Sequence, residues 1–533
     1  MSTAKISSLL FFIISLSISV YSQPAISWSD CYGGTMGEGG RSIINTTDGG
    51  YLIVGSTSSN DGDVSGAYCI YDSVNNVCLP YQDAWVIKID AAGNLLWQKC
   101  LGGHDVDECV MVVESGNGYV LACNTLSTEG DVTFNHGGPD FWITKIDYNG
   151  NIIWEHCYGG SLSENVYGIA KTIDGGFVVC GTVDSYDGNV AGRHGVVGSD
   201  GWLLKLDSMG QLIWQKCLGG THVELYQQIQ SDTLGNIYFL TMTGSVDDDI
   251  TCHVNGHSIW LSKLDLNGNI LWDNCFGGTG GQIINSMRIY GDKLLMSGKS
   301  ASNDGDFTHN YGHYDAWILL TDTSGNKIFS ESYGGSQTDL FNDAILVNDK
   351  IIAGGSTLSV DHDVTMNHPV FNLSDCWLIC VDTLGNLLWE NTYGGSYDEE
   401  CNSLSPVSGS GIILTGYTST NNDGDISGYH GTHWGQVWVA EFDLINNVTS
   451  FRDEHFSIYP QPFTESIHIR SPVFSNKDFN ITLFDIQGKS IPVSQIKTDK
   501  ELILTSAKNL LSGMYILNIR TSNNVYSFKI IKI

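Results

Sequence analysis

Six carboxylates and one amide recur in a single column of this chain: Glu38, Asp107, Glu164, Glu224, Gln282, Asp339 and Glu399. Each stands four residues after the second glycine of a Gly-Gly pair. Gathered around one axis they would make a ring of negative charge. Carboxylates crowded in this way resist full ionisation unless a cation or solvent screens them. Such a ring could take a cation or a basic partner, or supply acid–base groups to a glycan hydrolase or lyase. A plainer reading has each carboxylate capping backbone amides of its own loop.

A second acidic phrase recurs downstream. It reads Asp61-Gly62-Asp63, Glu129-Gly130-Asp131, Asp187-Gly188-Asn189, Asp247-Asp248-Asp249, Asp304-Gly305-Asp306, Asp361-His362-Asp363 and Asp423-Gly424-Asp425. In four copies a histidine follows five residues on: His136, His194, His368 and His430. Five copies add an Asp two residues before a tryptophan: Asp83, Asp140, Asp200, Asp315 and Asp375. Calcium wants about six to eight oxygens, and alternating carboxylates could wrap it. The candidate ligands are Asp61, Asp63 and Asp83, and Asp304, Asp306 and Asp315. No complete twelve-residue calcium loop closes on a bidentate Glu, and zinc spacing is absent. Asx-turns joined to a histidine explain the phrase without metal.

The seventh copy departs from the others. Its loop Tyr429 to Trp438 (YHGTHWGQVW) adds His433 and Trp434 beside His430 and puts Gln436 where Asp is usual. An aromatic ring beside histidines suits a sugar or a peptide. An edge contact with the insertion Ala67 to Gln82 is the competing reading. Nucleophile elbow, phosphate-cradling loop and helical zinc motif are all missing, so no catalytic residue is assigned.

These residues need a scaffold that repeats. A Trp-x-x-Cys-Tyr-Gly-Gly-like phrase has its first glycine at Gly33, Gly102, Gly159, Gly219, Gly277, Gly334 and Gly394, at steps of 69, 57, 60, 58, 57 and 60 residues. A period this long is one supersecondary unit copied. In the second copy four short strands follow one another, Glu108 to Val113, Tyr119 to Thr125, Asp140 to Asp147 and Asn151 to Tyr158, with Asn149-Gly150 as a hairpin turn. Seven such units make an all-β, seven-bladed β-propeller over residues 24–446. Ala25 to Gly34 is a lone fourth strand and Val437 to Asp443 a blade that stops at its third, so the first should complete the last. Trp85, Trp142, Trp202, Trp260, Trp317, Trp377 and Trp438 form one packing column. Trp28, Trp97, Trp154, Trp214, Trp272 and Trp389 form another, with Phe329 in the missing place. The blade rhythm resembles quinoprotein-like and kelch-like propeller repeats. The adjacent cysteine pair and eight blades of quinoprotein dehydrogenases are not here, so their redox chemistry is not implied.

Strand alternation puts the first-to-second and third-to-fourth turns on one face. The longer second-to-third and fourth-to-first loops, which carry the acidic phrases, share the other. Loops on a rigid scaffold are where binding residues concentrate.

The chain has 533 residues and a net charge of −33. Residues from Phe456 onward carry +4, leaving −37 on the rest. An acidic body disfavours nucleic acid as a partner. Lys5 followed by the apolar run Leu9 to Val20, with Val20 and Ser22 before Gln23, reads as a signal peptide over 1–22. No later stretch suits a membrane span, and the expectation is a monomer. Cys31, Cys100, Cys157, Cys217 and Cys275 share one repeat position and read as mostly buried free thiols. Cys69 and Cys78 bracket the insertion and suit a local disulfide.

After a linker at 447–455 the composition shifts, and alternating short strands over 456–533 suggest a small β-sandwich. Tyr459-Pro460-Gln461-Pro462, Leu483 to Lys489 (LFDIQGK), Leu511-Ser512-Gly513-Met514-Tyr515 and Phe528 to Ile533 (FKIIKI) carry a resemblance. The module resembles the type A C-terminal sorting domain of the type IX secretion system of Bacteroidota. On that match Tyr459, Pro460, Pro462, Gly488, Gly513, Tyr515, Lys529 and Lys532 are the sorting residues, and Gln461 stands where the family usually has Asn. The resemblance implies export, then release or attachment at the cell surface, with the secretion machinery as a partner. The whole reads as a secreted or surface-displayed propeller that binds a polysaccharide or protein on its acidic loop face. The alternatives are a glycan-active enzyme and a calcium-stiffened structural module.

Overall fold

The repeated phrase is a clamp between neighbouring blades. In the computed structural model, the outer-strand Trp154 lies over Gly210, which turns the hairpin of the next blade: a Cβ there would meet the Trp154 ring at 2.6 Å. Trp28 sits in the same way over Gly93, Trp97 over Gly150, Trp214 over Gly268, Trp272 over Gly325, and Phe329 over Gly385. These turn glycines have φ between +75° and +87°, where a side chain is strained as well as obstructed. The tyrosine of the phrase adds a hydrogen bond to the same turn. The hydroxyls of Tyr32, Tyr158 and Tyr333 donate to the carbonyls of Gly93, Gly210 and Gly385.

The structure describes residues 24–444 apart from 73–76, 196–197, 255, 366–372, 408–410 and 432–433, together with strands between 457 and 532. The side chains of residues 69–80 lie outside the description. Contacts divide the chain into a unit at Gln23–Ile445 and another that holds Asn446–Ile533.

The first unit is a ring of seven four-stranded antiparallel sheets. Blade one runs Glu38–Asn45, Tyr51–Thr57, Asp83–Ile89 and Leu95–Leu101, from the axis outward. Blades two to six repeat this order with inner strands Asp107–Ser115, Glu164–Lys171, Glu224–Ser231, Gln282–Tyr290 and Asp339–Val347. Blade seven is Glu399–Val407, Gly411–Thr418 and Gln436–Asp443, and its fourth strand is Ala25–Tyr32 from the other end of the propeller. That strand pairs antiparallel from Ala25↔Asp443 to Tyr32↔Val437. Each inner strand touches its two neighbours, and the first touches the seventh, so the wheel is closed as expected.

The column Trp85, Trp142, Trp202, Trp260, Trp317, Trp377 and Trp438 is buried between blades. Every inner strand carries a register shift within its first five residues, as between Gly40 and Ser42 or Phe341 and Asp343. A bulge re-aims the extra residue. Here Arg41, Val110, Tyr167, Asn285, Asn342 and Asn402 line a central channel of about 740 Å³. Asn285, Asn342 and Asn402 donate to the carbonyls of Phe341, Cys401 and Gly40 at 3.0, 3.0 and 2.8 Å, which sews blade five to six, six to seven and seven to one.

One cysteine expectation is corrected. Cys31, Cys100, Cys157 and Cys217 are free thiols, but Cys275 is bonded to Cys252, with Cα atoms 5.5 Å apart. Blade four alone has a cysteine three residues past its Asp-Asp-Asp, within reach of the shared position. A second bond, Cys109–Cys123, joins directly opposed residues on the first two strands of blade two. The expected Cys69–Cys78 pair involves side chains outside the described residues.

The second unit contains two four-stranded antiparallel sheets. One is made of Ser457–Tyr459, Ser466–Arg470, Glu501–Thr505 and Ser494–Lys497. The other is made of Ser490–Ile491, Phe479–Asp485, Gly513–Thr521 and Val525–Lys532. Alternate residues Tyr515, Leu517 and Ile519 are buried, as a two-residue period requires. Tyr459, Gly513, Tyr515, Lys529 and Lys532 lie on these strands, whereas Pro460, Pro462, Gly488 and the signal segment 1–22 fall outside the described residues.

Candidate functional site

The carboxylate column does not face solvent. Glu38 is 3 % exposed, and Asp107, Glu164, Glu224, Gln282, Asp339 and Glu399 are fully buried. The solvated crown at the channel mouth is therefore corrected to a set of internal caps. The reason lies in the Gly-Gly turn, whose amides point inward and need acceptors. In six of the seven pairs the second glycine donates to this column, as Gly34 does to Glu38 at 3.1 Å, Gly103 to Asp107 at 2.8 Å, Gly160 to Glu164 at 2.7 Å and Gly395 to Glu399 at 2.8 Å. Threonine hydroxyls take the other oxygen, as Thr57 does on Glu38 and Thr418 on Glu399. Gln282 reverses the polarity and donates to Gly278 O at 3.3 Å.

The Asp-Gly-Asp phrase serves the same turn. Its first acid accepts the amide after the glycine pair, as Asp61 does from Thr35 and Asp304 from Thr279, both at 2.8 Å. Its second accepts the first glycine, as Asp63 does from Gly33 at 3.2 Å and Asp306 from Gly277 at 2.9 Å. Asp83 and Asp315 accept the amides of Tyr68 and Tyr311. Among the described residues no group of three or more His, Cys, Asp or Glu side chains is placed to hold a metal ion. The histidines reach across blades: His194 Nδ1 meets Asp200 at 2.9 Å and its Nε2 meets Asp249 of the next blade at 3.6 Å. His136 holds Asp140, and His430 approaches Asp63 at 3.6 Å. His368 and His433 lie outside the described residues.

Burial decides the charge state of these acids. Desolvation pushes Glu38, Glu224 and Glu399 up to about 7, against the hydrogen bonds that favour the anion. It raises Asp83 and Asp315 to about 7 and Asp107 to about 6.

The exposed aromatic rings gather on the loop face. Six of the seven exposed Phe, Tyr and Trp side chains among the described residues stand on its loops: Tyr81, Phe134, Tyr186, Tyr311, Tyr397 and Trp434. Only Tyr148 is on the opposite face. Trp434 is 59 % exposed, and its carbonyl accepts the Tyr429 hydroxyl at 2.7 Å. Tyr311 stacks on His362 of the next blade, with ring centroids 4.2 Å apart and planes at 8°. Arg193 lies 4.3 Å over the Tyr186 ring. The sequence singled out Trp434 because it broke the repeat. It gave no such mark to the others, which recur at no fixed repeat position.

A closed seven-bladed propeller with a separate strand-built tail defines the class of this chain. Residues 457–533 match the secretion system C-terminal sorting domain, the type IX sorting module, so the protein is one that is secreted or held at the cell surface. No curated protein matches the chain. Among solved structures it is similar to the WD40 domain of Neurospora crassa Pan2, at 10 % identity and TM-score 0.40, covering 75 % of this chain and 89 % of that one. The plexin A4 extracellular region gives 6 % identity and TM-score 0.43 over 94 % of this chain and 53 % of that one. An apocarotenoid oxygenase mutant of Synechocystis gives 12 % and 0.35 over 79 % and 97 %. No helix among the described residues is long and apolar enough to cross a membrane.

Proposed function

We propose that this protein is an extracellular binding or adhesion propeller, and that its loop face takes a polysaccharide. The observation that carries the reading is the concentration of exposed aromatic rings on that one face. Rings held on loops cross-linked by hydrogen bonds lose little entropy on binding and offer flat apolar surface to the C–H faces of sugars. Polar neighbours such as His430 and Gln337 add hydrogen-bonding groups around them. The buried carboxylates shape the face from beneath and do not touch the ligand.

A glycan array probed with the full chain tests this. Binding to a polysaccharide class is expected, with a loss of about tenfold or more in affinity for Trp434→Ala or Tyr397→Ala, in line with loss of a buried aromatic contact. Retention of glycan binding in both variants would move the site off this face. No binding to any glycan, with capture of a defined surface protein that Trp434→Ala abolishes, would make the ligand a protein.

A further inference from the structure

Two buried acids face each other at five blade junctions, one from the third strand of a blade and one from the inner strand of the next: Asp83 with Asp107, Asp140 with Glu164, Asp200 with Glu224, Asp315 with Asp339, and Asp375 with Glu399. All ten are 2 % exposed or less. They crowd the first glycine of the pair. A Cβ on Gly159 would meet Asp140 Oδ1 at 2.2 Å and Glu164 Oε2 at 2.8 Å, and one on Gly334 would meet both Asp339 and Asp315.

Their hydrogen bonds are unequal. Each inner-strand acid takes a Gly-Gly amide, and hydroxyls from the second strand and the loop after it join in, as Ser127 does on Asp107. In the first four pairs the third-strand acid has one oxygen occupied by a backbone amide, from Tyr68, His136, His194 or Tyr311. Its other oxygen, Oδ1 in Asp83, Asp140, Asp200 and Asp315, is buried with no partner. Asp107 Oδ1 is also without one.

The repeat supplies its own controls at two other junctions. In blade seven the third-strand position is Gln436. Its Oε1 accepts the His430 amide at 2.9 Å, as the aspartates accept theirs, and its Nε2 donates to Gly34 O at 2.8 Å. That Nε2 and Glu38 Oε2 lie 3.0 and 2.4 Å from the same point above Gly33. An amide NH₂ thus sits where an acid proton would sit. Between blades four and five the pair is Ser258 and Gln282, and neither is charged. Neither control junction carries two negative charges.

We propose that each of the first four of the five acid–acid junctions binds one proton in the folded protein: the third-strand Asp is a neutral acid whose Oδ1–H donates to the inner-strand carboxylate. One proton between two buried carboxylates removes a like-charge contact and satisfies the orphaned oxygen at once. The amide at position 436 favours a hydrogen-bond donor over a metal cation in this slot.

Other titratable groups share the junctions. Asp83 also faces Asp131, with Tyr68 and the buried Cys100 thiol nearby. Asp315 faces Asp363 and Tyr311. Asp140 faces His136 and Cys157, and Asp200 faces His194, Arg193 and Cys217. The histidine-free pairs are therefore the clean ones. An acid whose folded value is raised binds more protons folded than unfolded, so stability falls as pH climbs from the unfolded value, about 4, through the folded one. Asp83 and Asp315 lie near 7 for reasons of burial, which sets the window at pH 4 to 7 with the loss complete above it.

The test is the unfolding midpoint of the full chain at pH 5 and pH 8, for the parent and for D83N/D315N. The parent should melt higher at pH 5. The double variant should lose a large part of that difference by melting higher at pH 8, and Gln436→Glu should widen it. Infrared difference spectra of the parent at pH 7 keep the test alive if the variants fail to fold: a protonated-carboxyl band should vanish on unfolding. A parent midpoint that is flat or rises toward pH 8, or a missing acid band, overturns the proposal. So does a calcium-dependent rise at pH 8 that D83N/D315N abolishes, which would make the shared ligand a cation.

Discussion

Gly210 shows how little freedom single positions have in this wheel. Its φ is +78°, and the rings of Trp154 and His156 occupy the space of any Cβ at 2.6 and 2.7 Å. Gly210→Ala meets both obstacles, so a loss of about 1–3 kcal/mol is expected in urea unfolding. Gly175→Ala has a similar φ of +82° in open space and separates the two terms. Only the backbone share should be lost there, about 1 kcal/mol. Equal losses would show that the tryptophan clamp adds nothing. At this scale the sequence was legible in part. Trp, Tyr and Gly recurred together, and their joint recurrence marked them as structural. The role of the acids was legible only as two alternatives, a solvated ring or caps on backbone amides of their own loops, and the caps are what the hydrogen bonds show. Whether Glu38 points to water or to the Gly34 amide depends on where a turn aims its N–H groups, and residue type does not encode that. The aromatic rings of the loop face were missed because Phe134, Tyr186 and Tyr397 sit at different repeat positions.

At the scale of elements the strand order followed from period and alternation, and the strand Ala25–Tyr32 landed beside Gln436–Asp443. Pairing between residues that a bulge offsets was harder. Cys109 lies just beyond a register shift from the turn, between Cys109 and Met111, so its position opposite Cys123 could not be counted from the turn. Cys252 lies in a loop, where no period exists to count. The closing strand carries a prediction of its own. Without residues 24–32 the seventh blade is left with three strands. Its third strand becomes a bare edge, Glu441 loses its bond from Trp28 Nε1, and Tyr393 loses its acceptor at Pro24. A chain lacking these residues should unfold at a midpoint at least 10 °C lower, on the order of what several lost kcal/mol would cause. Adding the Ala25–Tyr32 peptide in trans should restore part of the loss. An unchanged midpoint would mean that the ring does not depend on its clasp.

Over the whole molecule the charge is divided as the functions are. The propeller-bearing part carries −37 and the tail from Phe456 carries +4. A strongly acidic body stays soluble and repels other acidic polymers. A sorting module has to be read by the secretion machinery whatever body it is attached to, so its signal must reside in its own strands. Those strands need no propeller for their hydrogen bonds: both four-stranded sheets are built wholly from residues 457–532. It follows that the two units should be separable in function. Deleting 457–533 should leave a folded propeller that stays in the periplasm, with its melting midpoint unchanged within about 2 °C, since surface losses are small. Joining a signal peptide and 457–533 to an unrelated periplasmic reporter should carry the reporter to the cell surface or medium. Fractionation followed by immunoblotting reads both. A truncated chain that still reaches the medium would place the export signal in the propeller. A reporter that stays behind would show that the tail must be presented by this body, which would tie the acidic wheel to its own passage out of the cell.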